Sequence, residues 1–253
     1  MHNPLMSRQF LASELFARLA EPFTAEPLFD QLPDTVFFIK NAAGQYVCVN
    51  DTLVQRCGKR DKSELVGCTP VQVLGESLGR GYELQDQKVL RSGRQLLDEL
   101  ELHVYQTRDV GWCLTSKLPL AGKSGDIVGL VGISRDLKLP DVTSEDFEHI
   151  AAAVEHAEAR LSEPPALAEL ASVARMSVYQ LDRRMKRLFG LSTGQWLLKT
   201  RIGHAGRHLL DTDLPIVEIA HDCGYRDQSA FTRQFRRATG LTPSEFRRLR
   251  ARA

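Results

Sequence analysis

The last third of this chain repeats itself, and a duplicated unit of about fifty residues admits few folds. Leu167-Ala-Glu-Leu-Ala171 returns as Ile216-Val-Glu-Ile-Ala220 at an offset of 49 residues. Past the next turn the offset is 50, so Leu181, Met185, Gly190-Leu191 and Trp196 fall on Phe231, Phe235, Gly240-Leu241 and Phe246. Each copy reads as a short helix with apolar residues three to four apart, a tight turn and a longer helix, the helix-turn-helix arrangement. Ser177 with Gln180 forms a capping-box pattern, Asp227 is a good N-cap, and Gly190 and Gly240 stand where glycine ends helices.

On a wheel of about 100° per residue, each longer helix has an apolar pole and a basic one. Leu181, Met185 and Leu188 oppose Tyr179, Arg183 and Lys186; Phe231, Phe235 and Ala238 oppose Ser229, Arg233 and Arg236. One charged face alone is ordinarily a solvated face. Two equivalent faces with matching Arg183 and Arg233 point to DNA, where arginine pairs bidentately with guanine and other cations meet phosphates. Between the units, Trp196, Leu197, Ile202, Ala205, Leu209 and Leu210 predict one linker helix over Thr193 to Asp211. Such a helix spans roughly 28 Å, against about 34 Å between successive major grooves on one side of the duplex.

Charge supports the division. The chain has 253 residues and a formal net charge of +1. Cut at Glu163-Pro-Pro165, it separates into residues 1–165, net −7, and residues 166–253, net +8. An acidic module precedes a basic one, the electrostatic footprint of a nucleic-acid-binding domain. No apolar run suits a bilayer and no charged-then-apolar leader follows Met1, so a cytoplasmic location is expected. Cys48, Cys57, Cys68, Cys113 and Cys223 show no CxxC pair and no Cys/His spacing suited to zinc, and read as buried thiols with no metal site.

The residues Arg201-Ile202, Ala205, Leu209-Leu210, Ile219-Ala220, Gly224-Tyr225, Phe231, Phe235 and Gly240-Leu-Thr-Pro243 resemble the AraC/XylS transcription-regulator DNA-binding domain. That resemblance runs from the helix near Phe147 through Arg248 and implies two helix-turn-helix units acting on promoters, more often as an activator, with RNA polymerase as a partner. It places the base-facing positions on Tyr179, Asp182 and Arg183 in the first unit, and on Gln228, Ser229, Thr232 and Arg233 in the second. Lys186, Arg187, Arg236 and Arg237 are the expected DNA-backbone contacts. Asp182 departs from the pattern, since a carboxylate there is repelled by phosphates unless it accepts from cytosine N4 or orients Arg183.

The N-terminal half has a strand rhythm. Thr35 to Lys40 and Tyr46 to Val49 predict a hairpin about Asn41-Ala-Ala-Gly44. Short helices follow over Asn50 to about Gly67 and Glu76 to Arg91, then strands over Leu96 to Tyr105, Gly111 to Leu120 and Ile127 to Arg135, with turns at Arg108-Asp-Val110 and Gly122-Lys-Ser-Gly125. This order, with Asn41-Ala-Ala-Gly-Gln-Tyr46, Val49-Asn50, Glu64-Leu-Val-Gly67, Tyr82, Asp86, Ser92-Gly93, Trp112, Pro119-Leu120 and Gly129-Leu-Val-Gly-Ile-Ser-Arg-Asp136, resembles a PAS sensor domain. The resemblance implies a module that binds a small molecule or pairs subunits.

The expected fold is thus a multidomain α+β chain. Residues 1–23 form an amphipathic helical segment that includes Phe10 to Leu19, residues 24–138 a PAS domain with a five-stranded antiparallel sheet, and residues 139–253 an all-α domain of two helix-turn-helix units, about 166–190 and 215–240. A connector from Thr143 to Leu161, capped by Ser144, carries Phe147, Ile150, Val154, Ala157 and Leu161 on one stripe. Phe37, Ile39, Val47, Val49, Leu53, Leu65, Leu100 and Leu102 are expected to build the sensor core and line a ligand pocket.

The ligand is not written in the residues, and an unidentified small organic molecule is the preferred reading. His103 alone offers a heme ligand, but a strand histidine is more often an ordinary surface residue. Cys48, Cys68 and Cys113 suit oxidant sensing only if exposed with lowered pKa. No phosphate-cradling loop, nucleophile elbow or paired-carboxylate motif appears, so no catalysis is expected. The competing function is a protein-interaction module whose basic face meets an acidic partner in place of DNA. A homodimer formed through the PAS domain is compatible with either.

Overall fold

The computed structural model describes residues 14–20, 22–104, 110–137 and 145–249. A helical turn at residues 14–17 (α1) and α2 (Glu26–Phe29) lead into an antiparallel sheet of β1 (Thr35–Asn41), β2 (Tyr46–Val49), β3 (Leu96–Val104), β4 (Val110–Ala121) and β5 (Ile127–Asp136), in spatial order β2-β1-β5-β4-β3. The β1–β2 turn is set by Asn41, whose side chain accepts from the amides of Ala43 and Gln45 at 3.0 Å each, and by Gly44 at φ 79°. These five strands are those expected from the sequence.

The helices inserted after β2 differ in their bounds. The stretch from Asn50 divides into α3 (Asp51–Arg56), N-capped by Asn50, and a 3-10 turn at Lys62–Glu64. The next helix, α4 (Pro70–Ser92), starts six residues earlier than Glu76 because Thr69 and Gln72 make a capping box and Pro70 opens the first turn. Gly75, at φ 79°, breaks it into two segments. The connector is likewise two helices, α5 (Glu145–Glu148) and α6 (Ala151–Glu158), parted at Ile150, and its Ser144 cap lies outside the described residues. Residues 1–13 and 21 of the amphipathic segment, Tyr105 of the expected third strand and the Arg108-Asp109 turn also lie outside them.

Five of the six remaining helices build the two units. They are α7 (Leu167–Val173) with α8 (Val178–Phe189), the linker α9 (Thr193–Asp211), and α10 (Ile216–Asp222) with α11 (Gln228–Thr239); α12 (Pro243–Arg247) closes the chain. Capping boxes start α8, α9 and α12, Asp227 caps α11 through the Ala230 amide at 2.7 Å, and Gly190 and Gly240 end α8 and α11 at φ 68° and 76°. The C-terminal carbonyls of α10 are taken up by the linker: Arg201 donates to Cys223 O at 2.6 Å and Gly224 O at 2.9 Å, stacked 4.2 Å from the Tyr225 ring.

Three apolar cores result. The sensor core joins Val36, Phe38, Tyr46, Val49, Leu53, Leu65 and Leu130 beneath α3 and α4. The other two belong to the helix-turn-helix units, and each takes residues from the sheet: Leu100 and Leu114 enter the first with Leu181, Met185 and Trp196, whereas Leu102 enters the second with Phe231, Phe235 and Phe246. A fully buried side chain of this size contributes roughly 1.5–3 kcal/mol, so the outer face of β3 and β4 is a structural floor for both units. The modules also meet backbone to backbone, since a Cβ on Gly81 of α4 would lie 3.1 Å from the Cα of Gly240.

Gly224 is held at φ 74°, and a Cβ there would stand 2.6 Å from the Leu161 carbonyl oxygen. Gly224→Ala is therefore expected to cost about 2 kcal/mol or more in urea unfolding. Gly194→Ala in the open first turn of α9 is expected to raise stability by about 0.5 kcal/mol.

Candidate nucleic-acid interface and sensor cavity

The residues opposite the two buried stripes stand open on the surface. Tyr179, at 74% exposure, and Arg183, Lys186 and Arg187 are exposed on α8; Gln228, Ser229, Arg233, Arg236 and Arg237 are exposed on α11, with Thr232 half-buried among them. The two helices flank α9, whose 19 residues span Thr193–Asp211. The burial of Leu181 and Met185 on α8, and of Phe231 and Phe235 on α11, fixes which way these polar faces point.

Asp182, Lys186 and Arg237, among the expected DNA contacts, are engaged within the protein. Asp182 accepts from the Thr193 amide at 2.8 Å and the Thr193 hydroxyl at 3.2 Å, and its other oxygen lies 3.3 Å from Lys186 Nζ. Burial works against its charged form, but the bonds from Thr193 and Lys186 hold its pKa below the usual carboxylate range. Asp182 thus ties α8 to the first turn of the linker, and the sequence pattern did not show this because Thr193 belongs to the next helix. Arg237 donates to both carboxylate oxygens of Glu99 on β3, at 2.5 and 2.9 Å. Nearby Gln195 of α9 donates to the Asp98 carbonyl at 2.8 Å. Lys88 of α4, not anticipated from sequence, lines an open groove of about 360 Å³ with Arg233, Arg236 and Arg237.

Within the sensor, a cavity of about 60 Å³ lies between the sheet and the helices, several times the space one water needs. Its walls include Phe38, Lys40, Tyr46, Leu53, Tyr82, Glu101, His103, Thr115 and Lys117. Of the eight residues expected to line it only Leu53 does so. Val49 and Leu65 pack in the sensor core, Phe37 stacks on Phe29 at 4.3 Å, Val47 is 53% exposed, and Ile39 is absent from the wall. Leu100 and Leu102 face the helix-turn-helix units. Alternation accounts for Phe37, Ile39, Leu100 and Leu102, since neighbouring strand residues point to opposite faces, and the wall joins apolar Val36, Phe38, Leu53 and Leu74 to a polar set.

That polar set is densely paired. Asp86, about 1% exposed, binds Lys40 at 2.5 Å through one oxygen and Lys117 at 2.7 Å through the other. Burial lowers the Lys40 pKa to about 8, with Asp86 opposing the shift, and the two lysines hold the Asp86 carboxyl below its ordinary value although burial opposes them. Glu101 accepts from Gln85 and Thr115 and lies 3.3 Å from His103 Nε2. Burial disfavours both charges, yet Glu101 is drawn down to about 2 by His103, Lys117 and Thr115, and His103 is pushed up to about 10 by Cys113 and Glu101. Among the other thiols, burial raises Cys48 to about 12 and Cys57 and Cys223 to about 11, which keeps them protonated.

Two basic helix-turn-helix units on one linker, packed against a sheet domain with its own cavity, define a DNA-binding regulator with a sensor module. Comparison with known proteins agrees: a helix-turn-helix domain family matches residues 170–249 and a PAS fold matches residues 29–139. The HTH-type transcriptional activator RhaR of Escherichia coli K12 is 27% identical over 214 residues, covering 81% of this chain and 72% of that protein. The DNA-binding domain of AdpA, solved with a target DNA, is 36% identical over 41% of this chain and 94% of its own, at a TM-score of 0.39. An AraC-type regulator from Chromobacterium violaceum is 30% identical over 41% and 93%, also at 0.39. The chain belongs to the AraC-type helix-turn-helix transcription regulators, with a PAS domain ahead of its DNA-binding domain. Among the described residues no helix is long and apolar enough to cross a membrane.

Asp86→Ala leaves two buried lysines without their counter-charge. Urea denaturation of the full chain is expected to show a loss of about 3–5 kcal/mol.

Proposed function

We propose that the protein is a sequence-specific promoter-binding activator, non-catalytic and cytoplasmic, whose PAS cavity takes a small organic molecule. The observation that carries the DNA reading is the pair of exposed basic faces on α8 and α11, held at the two ends of one 19-residue helix. Arg183, Tyr179, Gln228, Ser229, Thr232 and Arg233 read base edges, and Lys186, Arg187, Arg236, Arg237 and Lys88 meet phosphates. The sign of regulation follows the activator RhaR, and contact with RNA polymerase belongs to the same reading. Exposed Leu15, Phe16, Phe23 and Leu28 beside the sheet favour pairing of two sensors.

On the same reading, the signal of a bound ligand passes to the DNA-binding domain through the sheet. The floor of the cavity is β3 and β4, whose opposite face carries Leu100, Leu102 and Leu114 into the helix-turn-helix cores, while Glu99 of β3 holds Arg237. A ligand that moves Glu101 or His103 therefore moves residues that position the DNA-contacting helices.

Arg233→Ala is expected to cost about 1–3 kcal/mol and to relax the preference at one base pair, read by competition footprinting against single-base operator variants. Arg237→Ala is expected to weaken all sequences alike and to reduce the slope of log affinity against log salt by about 1. Equal losses from both changes on cognate and random duplexes would refute these roles, and salt-independent binding without a protected footprint would favour an acidic protein partner instead.

A further inference from the structure

The pairing of β3 with β4 places together three donor side chains that the helix-turn-helix function does not use. Glu101 stands directly opposite Cys113 in the ladder, and His103 is the next residue on the same face of β3. One carboxylate oxygen, one imidazole nitrogen and the Cys113 sulfur all lie within 4.8 Å of one another. Cys113 and Glu101 are buried, at 0% and 5% exposure. We propose that Glu101, His103 and Cys113 form a binding site for one divalent transition ion of the zinc class.

The chemistry of the donor set supports that ion. Thiolate, imidazole and carboxylate together are ligands of zinc, which prefers tetrahedral sites with bonds of about 2.0–2.3 Å. Such bonds put neighbouring donors roughly 3.3–3.7 Å apart, and Glu101 Oε2 already lies 3.3 Å from His103 Nε2. Binding releases the proton that His103 holds beside Glu101 and any proton on Cys113, and a divalent ion then neutralises the thiolate and carboxylate in place of the imidazolium. Outer partners are present as well. Gln85 and Thr115 both donate to Glu101, Thr115 in turn meets Ser134 at 2.9 Å, and the Tyr82 ring packs edge-on to His103 at 5.3 Å.

Three protein ligands leave a fourth position open, the arrangement of zinc sites that bind an exogenous molecule. Glu101 and His103 line the sensor cavity, so that position is within reach of a small ligand carrying an oxygen, nitrogen or sulfur donor. The inference stands apart from DNA binding, because an ion held here is detected without operator DNA.

The test is titration of the purified, chelator-stripped full chain with Co(II), followed by displacement with Zn(II). One equivalent of Co(II) is expected to produce a thiolate-to-metal charge-transfer band that Zn(II) abolishes. Cys113→Ser is expected to remove the band, and Cys68→Ser, which alters a half-exposed thiol elsewhere, to retain it. His103→Gln is expected to weaken Zn(II) binding in equilibrium dialysis by about tenfold or more, with far-ultraviolet circular dichroism confirming that each variant is folded. Absence of the band in the wild-type chain overturns the proposal whatever the variants do. So does a band that survives Cys113→Ser, or one that disappears with Cys68→Ser.

Discussion

The alternation of β3 is the constraint on which the rest of this molecule depends. Its odd-numbered residues Glu101 and His103 close the sensor cavity, and its even-numbered residues Leu100 and Leu102 are pressed into the cores of the two helix-turn-helix units. A strand whose two faces serve different interiors cannot slip by one residue, since that would send carboxylate and imidazole into the apolar cores of the helix-turn-helix units. The ladder with β4 reinforces the placement, with Thr115 inward against Glu101 and Leu114 outward against the first unit.

This arrangement brings the two domains into direct apolar contact through the sheet. One layer of backbone separates the wall of the cavity from the apolar floor of the DNA-binding domain. The Glu99–Arg237 ion pair and the Gln195–Asp98 hydrogen bond lie at the edge of that layer, where β3 meets α11 and α9. The buried Asp86 with Lys40 and Lys117 keeps α4 fixed to β1 and β4 on the far side. Burying three charges is favourable only with near-complete pairing, and Asp86 uses one oxygen for each lysine.

Much of the architecture was legible in the residues. Strand-like runs bounded by turn residues located all five strands, and Ser177, Gln180, Asp227, Gly190 and Gly240 marked helix ends because caps act over three or four residues, within reach of a sequence pattern. The pocket was not legible. Phe37, Ile39, Leu100 and Leu102 were assigned to it for being apolar, whereas the cavity collects Lys40, Glu101, His103 and Lys117 and the leucines face a second domain. Hydropathy cannot say which interior an apolar residue enters when a strand has two. Asp182 was opaque for a related reason, its partner Thr193 being supplied by the linker helix. Glu101, His103 and Cys113 show no metal-like spacing along the chain because strand pairing is what unites them.

The close approach of Gly81 to Gly240 has a mechanical corollary. Where two domains touch through long side chains, a small shift is absorbed as rotamers readjust. Here the bare main chain of α4 abuts the bare main chain that terminates α11. A side chain on Gly81 would press on the Gly240 main chain, so the separation of the two domains at this point is set by glycine.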